Sequence, residues 1–373
     1  MIVIAGLNLS IMKRTYKICI ALAAILLPCA IHTADACTGI ALKTKDDARV
    51  VARTVEWLKT PMDCGYAIVP RGYKQSSMGP AGKQAMSFKA RYGYAGVYTE
   101  YEPFIVDGLN EKGLSAGLFF FPGFGTYPEF DESKLSSSIC DMQLVSWVLS
   151  NFATIDEMKE GLSKVQVCSL DPAVGTVHWR FSEPGGRIVV LEFIDGEPVF
   201  YENPLGVLTN SPDFAWHQTN MRNYINLVPG AVENQNLGEG FELEPLGGGT
   251  GLLGIPGDFT PPSRFVRAAI FSANAPLLDN TFDTVTMAFH ILNNFDIPIG
   301  VQHKKGQCPE GLPSATQITT SADLSGLKYY FKTAWNQNIR CIDLSTIDFK
   351  RIKYQSALCD PDKTQPVDMI KVK

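Results

Sequence analysis

Hydrophobic residues from Cys37 onward fall mostly into short runs that are separated by turn residues. Examples are "TGIAL", "RVVARTVEW" and "YAIVP". Such runs predict strands. The segment "FSEPGGRIVVLEFIDGEPVFYEN" predicts two or three strands joined by Pro-Gly-Gly and Asp-Gly turns, where glycine supplies the positive φ that tight hairpins need.

Helical periodicity appears in three stretches: "MQLVSWVLSNFATIDEMKEGL" (142–162), which Asp141 opens, "PPSRFVRAAIFSANA" and "FDTVTMAFHILNNF". Strand runs on either side of two helical groups predict an α+β layered domain. No internal repeat, low-complexity tract or Pro/Ser-rich linker divides the sequence. Residues 37–373 are therefore predicted to form a single domain.

The first 36 residues have a different pattern. "MKRTYK" from Met12 is basic, "ICIALAAILLPCAI" is an apolar core, and "ADA" is a small-x-small cleavage site. This order predicts a signal peptide over residues 1–36, cleaved after Ala36, and an exported protein, periplasmic or secreted. The apolar core is shorter than the roughly 20 residues of a membrane-spanning helix. An integral membrane protein is therefore not expected.

Composition narrows the choice of partners. The formal charge is −5 and no long basic run is present, which disfavours nucleic acid as a partner.

The cysteine count is also informative. Loss of Cys19 and Cys29 with the signal peptide leaves an odd number of cysteines, which suggests a free thiol beside disulfides whose pairing stays open. Since the sequence has no C-x-x-C pair and no histidines at ligand spacing, a zinc site has no support. No metal and no cofactor is predicted.

Two short motifs match catalytic patterns but lack the required context. "GLSAG" (113–117) fits the serine-hydrolase elbow, yet "LFFFPGF" follows it where a helix should begin. "GTGLLG" (249–254) fits a dinucleotide-binding loop, yet "IPGD" follows in place of a phosphate-binding helix. Neither activity is expected.

Cys37 is the third candidate. Cleavage after Ala36 would make it the first residue of the mature chain, with a thiol and a free α-amino group in one residue. That amine has an ordinary pKa of roughly 7.7 to 8.0 and can act as the base for its own nucleophile. The alternatives are a lipoprotein cysteine, disfavoured because Ala34 stands where a lipobox has leucine, and a plain disulfide cysteine.

A thiolate needs a cation nearby, and strand alternation in "RVVARTVEW" places Arg53 on one sheet face with Val51 and Val55. Burying an unpaired charge is costly, so an arginine in an apolar strand indicates a specific role. The alternative is a surface salt bridge on an edge strand.

Several blocks together resemble the choloylglycine hydrolase family, which includes penicillin V acylases and conjugated bile salt hydrolases. They are "CTGIAL", "ARTVEW", "DGLNEKGLSAGL", "NPLGVLTNSPDFAWH" and "GIPGDFTPPSRFVRAAI", in the family's order, and the stretch from "HILNNFDIPIG" to "YYFKTAWNQNIRCIDL" is also similar. The resemblance implies an N-terminal-nucleophile hydrolase with a four-layer αββα sandwich that cleaves linear amide bonds. The Glu-Trp pair resembles the Gram-negative branch.

Matched by position, Cys37 corresponds to the nucleophile and Arg53 to the arginine that steadies its thiolate. Asn210 corresponds to the oxyanion-hole asparagine and Arg264, in preference to Arg267, to the second active-site arginine. Glu56 stands where the family commonly has the aspartate that holds the nucleophile's amine.

The acyl pocket departs from the bile salt hydrolase pattern, because Phe119 replaces an asparagine there. A backbone N–H of Phe119 or Phe120 is then expected to serve the oxyanion. Trp57, Phe119, Phe120 and Phe124 are predicted to line the pocket, and half of the aromatic residues here are expected in the core. Aromatic walls suit a phenoxyacetyl or fatty acyl group.

The resemblance therefore predicts a penicillin V acylase-like amidohydrolase. A conjugated bile salt hydrolase or an N-acyl homoserine lactone acylase is the alternative, and a lipid-anchored, non-catalytic binding protein is the alternative of another class. A homotetramer is possible, since family members are often tetramers.

Overall fold

A computed structural model describes residues 36–171 and 175–372. The predicted signal peptide lies outside the described residues, apart from Ala36. Five α-helices are present in the described part: α1 Leu144–Asn151, α2 Ile155–Leu162, α3 Phe214–Asn220, α4 Pro261–Ala273 and α5 Thr281–Leu292.

Nineteen strands accompany the helices in the same part of the chain. They are β1 Cys37–Lys43, β2 Arg49–Glu56, β3 Cys64–Val69, β4 Lys74–Met78, β5 Gln84–Lys89, β6 Tyr94–Thr99, β7 Ile105–Asn110, β8 Ser115–Phe120, β9 Ser138–Cys140, β10 Gln166–Cys168, β11 Val177–Ser182, β12 Ile188–Ile194, β13 Glu197–Glu202, β14 Gln235–Gly238, β15 Phe241–Leu243, β16 Thr316–Asp323, β17 Lys328–Thr333, β18 Arg340–Asp343 and β19 Gln355–Leu358.

Two antiparallel sheets form the centre of the domain. One has five strands in the order β1-β2-β16-β17-β18, and the other has eight in the order β13-β12-β11-β8-β7-β6-β3-β19. Val51, Val55 and Tyr329 from the first sheet share a buried core with Val97 and Leu109 from the second. The two sheets therefore pack face to face.

Helices cover the outer face of each sheet. Helices α4 and α5 pack on β1 and β2 of the five-stranded sheet, and α1 packs on β7 and β8 of the eight-stranded sheet. This arrangement is the four-layer αββα sandwich, so the predicted α+β fold is confirmed. Within the described ranges, no helix has the length and apolar character needed to span a membrane.

The helical pattern over residues 142–162 forms two helices rather than one. Helix α1 ends at Asn151, and Thr154 begins α2 by accepting a hydrogen bond from the Glu157 N–H on its side-chain oxygen. A side-chain cap of this kind satisfies a free backbone donor at a helix start.

The Asp-Gly turn is as predicted, because Asp195 and Gly196 both have positive φ between β12 and β13.

Candidate active site

The pairing of β1 with β2 brings the first site residues together. Cys37 lies opposite Val55, and Gly39 lies opposite Arg53. Because facing residues and alternate residues of a strand share one face, the side chains of Cys37 and Arg53 both point toward the eight-stranded sheet. Cys37 is buried at the start of β1.

Arg53 lies in a central strand and is only 1% exposed. Its guanidinium donates hydrogen bonds to the carbonyls of Val106 (3.1 Å) and Leu118, at the point where β7 and β8 separate. It also lies 4.0 Å above the Phe119 ring. The alternative of a surface salt bridge on an edge strand does not describe this side chain.

Asn210 is the residue that links the others. Its Oδ1 accepts hydrogen bonds from the Cys37 backbone N–H (2.7 Å) and from Arg264 Nη2 (2.7 Å), while its Nδ2 donates to the Phe120 carbonyl (2.7 Å). An arginine can only donate, so Oδ1 must face Arg264 and Nδ2 must face Phe120. The side chain is held in a single orientation.

Arg264, on α4, also bonds Cys37 directly. Its Nη1 donates to the Cys37 carbonyl (2.5 Å) and to the Thr38 hydroxyl (2.9 Å). Arg267 instead donates to the carbonyls of Pro256 and Asp258. Of the two arginines in this helix, Arg264 is therefore the one that contacts Cys37.

Glu56 ends β2 and is buried. Its Oε1 accepts a hydrogen bond from the Thr316 hydroxyl (3.2 Å), but its Oε2 has no partner. Burial raises the pKa of this carboxyl to about 8, against the opposing effect of the Arg264 charge. In the uncut chain the carboxyl is thus mostly protonated at neutral pH.

Burial also raises the pKa of the Cys37 thiol. The Arg53 charge is the largest influence in the opposite direction, and Arg264 acts the same way. Since the charged form is disfavoured without water, the thiol of the uncut chain is neutral at pH 7.

Two buried histidines hold the Asn210 loop, and sequence reasoning missed both. His217 Nε2 donates to the Asn210 carbonyl (2.8 Å), and its ring stacks 4.6 Å from Phe265. His178 donates from Nε2 to the Thr209 carbonyl (3.1 Å) and contacts Glu192 through Nδ1 (2.9 Å). The available signal was weak: a histidine in the apolar strand β11 and a glutamate in "VVLEF" of β12.

Arg180 is a further buried arginine, and the sequence did not single it out. It donates to the carbonyls of Ile40 (3.0 Å) and Ala52 (3.3 Å), between the sheets. A Cβ atom on Gly39 would stand 2.6 Å from Arg180 Nη1, so only glycine fits at that position. Arg180 thus fastens β1 and β2 to the facing sheet.

The predicted pocket residues have different surroundings. Phe119 is 0% exposed beneath Arg53, and its ring is edge-on to His178. Phe120 is half-buried with its carbonyl on Asn210, whereas the Phe124 ring is 49% exposed. Trp57 is half-buried and donates from Nε1 to Thr60 (3.2 Å). Phe120 is thus the aromatic residue joined directly to the site through its main chain.

Comparison with known proteins gives a consistent picture. Residues 37–364 match the model of the linear amide C–N hydrolases, choloylglycine hydrolase family. The chain is 33% identical to the bile salt hydrolase/transferase of Clostridium perfringens, over 85% of this chain and 95% of that protein. It is 25% identical to the penicillin V acylase of Pectobacterium atrosepticum, over 81% and 79% of the two chains.

Solved structures agree with these matches. A cysteine-to-alanine variant of the conjugated bile acid hydrolase from Clostridium perfringens superposes with a TM-score of 0.74 and 30% identity, over 90% of this chain and all of that one. The penicillin V acylase of Agrobacterium tumefaciens shares the fold, with a TM-score of 0.67 and 23% identity over 86% and 90% of the chains. The chain is therefore an amidohydrolase that belongs to the choloylglycine hydrolase family.

Proposed function

We propose that the chain hydrolyses a linear amide through Cys37, after removal of residues 1–36 frees the Cys37 amine. One observation carries the proposal: Asn210 Oδ1 lies 2.7 Å from the Cys37 nitrogen, the atom that the cut would release. Arg264 holds the carbonyl of the same residue. The backbone of Cys37 is thus fixed on both sides, as a residue that supplies both nucleophile and base requires.

The freed amine takes the thiol proton, and the thiolate attacks the amide carbon of the substrate. Arg53 stabilises the thiolate by its charge, because a nearby cation favours the ionised thiol and lowers the Cys37 pKa. Glu56 holds the resulting ammonium: in the uncut chain its carboxyl group has an oxygen without a partner, and the new positive charge favours the carboxylate form.

The oxyanion of the tetrahedral intermediate is stabilised by Asn210 Nδ2 and by the backbone N–H of Phe120. The N–H and C=O of a strand residue point to the same side. Since the Phe120 carbonyl bonds Asn210, its N–H faces the same edge, and Phe120 is preferred over Phe119. The Cys37 ammonium then protonates the leaving amine, and water hydrolyses the thioester.

Replacing Cys37 with alanine is the direct test. Turnover should be abolished while the Tm stays close to that of the unmodified protein, because the side chain is small. Cys308→Ala, at an exposed cysteine, is the matched control and should keep full activity. Appreciable turnover by Cys37→Ala would overturn the assignment.

For the substrate we propose a penicillin V-like amide with an aromatic acyl group. The half-buried Phe120 beside Asn210 and the exposed Phe124 ring support an aromatic acyl site. Conjugated bile acids are the second candidate, favoured by the higher identity to a bile salt hydrolase (33%) than to a penicillin V acylase (25%). Released amine, measured for penicillin V, glycine- and taurine-conjugated bile acids and acyl homoserine lactones, separates these substrates.

We also propose that the protein is exported, with residues 1–36 as its signal peptide, and that it assembles as a homotetramer. The hairpin of β14 and β15 and the segment after it present exposed Leu237, Phe241, Leu246 and Leu253, an apolar surface suited to a second copy of the chain. N-terminal sequencing tests the removal of residues 1–36: a free Cys37 supports it, and a blocked, lipidated Cys37 supports a lipoprotein. Recovery of the protein in the periplasmic or extracellular fraction tests the export. The native mass tests the assembly.

A further inference from the structure

The sequence leaves the pairing of the other cysteines open, and the structure distinguishes among them. Cys64 begins β3, and Cys359 directly follows β19, the edge strand that pairs with β3. Leu358 lies opposite Gly65, and the Cys359 N–H donates to the Cys64 carbonyl (2.9 Å). Cys64 and Cys359 are therefore directly opposite each other across an antiparallel ladder.

Both side chains point to the same side of the sheet. Cys64 and Cys359 are half-buried and pack against the core between the two sheets. They also line one small cavity, together with Gln317 and Trp335. Facing residues of an antiparallel pair have Cα atoms about 4.5 to 5.5 Å apart, which is within the range that a disulfide spans.

We propose that Cys64 and Cys359 form a disulfide in the mature protein, and that this bond fastens the C-terminal strand to the eight-stranded sheet. The proposal rests in part on the proposed export, since disulfides persist in oxidising compartments. A thiolate of the pair attacks a small disulfide such as oxidised glutathione, giving a mixed disulfide and one reduced thiol. The second cysteine displaces the other half, so two protons and two electrons leave the pair.

The neighbouring contacts show what the bond would stabilise. Asp360, the next residue, accepts hydrogen bonds from Arg340 (2.9 Å) on β18 and from Thr333 (2.5 Å) on β17. Residues 355–360 therefore pair with β3 of the eight-stranded sheet and are hydrogen-bonded through Asp360 to β17 and β18 of the five-stranded sheet. A disulfide at Cys359 would tie this connection covalently and close a loop that spans most of the chain.

The other cysteines do not offer an equal pair. Cys140 and Cys168 face each other in the parallel ladder of β9 and β10, but each thiol already donates elsewhere, to Asp141 (3.3 Å) and to the Ile139 carbonyl (3.6 Å). Cys308 and Cys341 are exposed. These two serve as the control positions.

Peptide mapping tests the proposal on the protein obtained from the whole chain. The sample is equilibrated with oxidised and reduced glutathione, alkylated without reduction and digested. We expect a peptide pair linked through Cys64 and Cys359, with Cys308 and Cys341 alkylated. Under oxidising conditions Cys64→Ser/Cys359→Ser should lower the Tm by about 3 to 6 °C, and under reducing conditions by much less.

Cys308→Ser/Cys341→Ser is the matched control and should leave the linked peptide and the Tm unchanged. Alkylated Cys64 and Cys359 in the glutathione-equilibrated wild type would overturn the proposal. Protein recovered from the cell with both thiols reduced would contradict the proposed export. Formation of the Cys64–Cys359 bond in the glutathione mixture would still support the proposed disulfide.

Discussion

Replacement of Arg53 with leucine tests how the thiolate is stabilised. The buried guanidinium donates to the Val106 and Leu118 carbonyls, and leucine would leave both without that donor. An unpaired buried polar group costs about 1 to 3 kcal/mol, so the free energy of unfolding should fall by about 2 to 6 kcal/mol. Total stabilities are typically about 5 to 15 kcal/mol, so Arg53→Leu should fold at low temperature with a reduced Tm.

The loss of Arg53 should also change how the activity depends on pH. Burial raises the pKa of the Cys37 thiol, and Arg53 is the largest influence that lowers it. A neighbouring cation lowers such a pKa by about 1 to 3 units. Without Arg53, activity at pH 7 should fall roughly 10- to 1000-fold, and the pH optimum should move upward. Arg53→Lys keeps the charge, so its optimum should move less.

The assay is kcat/KM for amine release across pH, with the alkylation rate of Cys37 followed by mass spectrometry. Arg187→Leu is the matched control, because Arg187 forms its ion pairs with Asp156 and Glu202 at the surface. A folded Arg53→Leu protein with the pH profile of the wild type would refute this reasoning.

Three further predictions concern the surroundings of Cys37. In the uncut chain, burial raises the Glu56 pKa from 4.5 to about 8, so the folded chain binds a proton more tightly than the unfolded chain. The free energy of unfolding should therefore fall as the pH rises from about 4.5 to about 8. In Glu56→Gln the Tm should no longer depend on pH in this range. A pH dependence that persists in the variant would show that another group causes it. His217→Leu removes the donor to the Asn210 carbonyl and should lower kcat roughly 10- to 100-fold with little change in KM, whereas His217→Gln should recover part of the loss. Equal loss in both variants would argue against that hydrogen bond. Phe124→Ala should raise KM for penicillin V several-fold at unchanged kcat, and an unaltered KM would place the ring outside the acyl site.

Much of the fold could be predicted because it depends on local patterns. The strands around Cys37 and Arg53 and the Asp195-Gly196 turn follow from alternation and turn chemistry over a few residues. The break within 142–162 had a local signal too. "TIDE" (154–157) has the spacing of a capping box, and the Glu157 carboxylate accepts from the Ala153 N–H while its own N–H donates to Thr154.

The site was predictable to a smaller extent. Chemistry alone pointed to Cys37 and, through strand alternation, to Arg53, because both lie on adjacent strands near the start of the domain. Asn210 and Arg264 were found only through the family resemblance, since nothing local joins them to Cys37. His217 was missed because its role depends on a hydrogen bond to a main-chain carbonyl, which leaves no pattern in the sequence.

The position of Ala36 limits when the proposed cut can occur. In the uncut chain Ala36 is 0% exposed and packs with Leu58, Ile297 and Ala315. A separate peptidase acts on exposed chain, so it could reach this bond in the folded protein only if Ala36 were first withdrawn from its contacts. The proposed cut would therefore precede folding, as when a leader is removed during export, or would be made by Cys37 itself. Either way, the cut would remove Ala36 together with its contacts, and Asn210 Oδ1, which lies 2.7 Å from the Cys37 nitrogen, would remain to bind the freed amine.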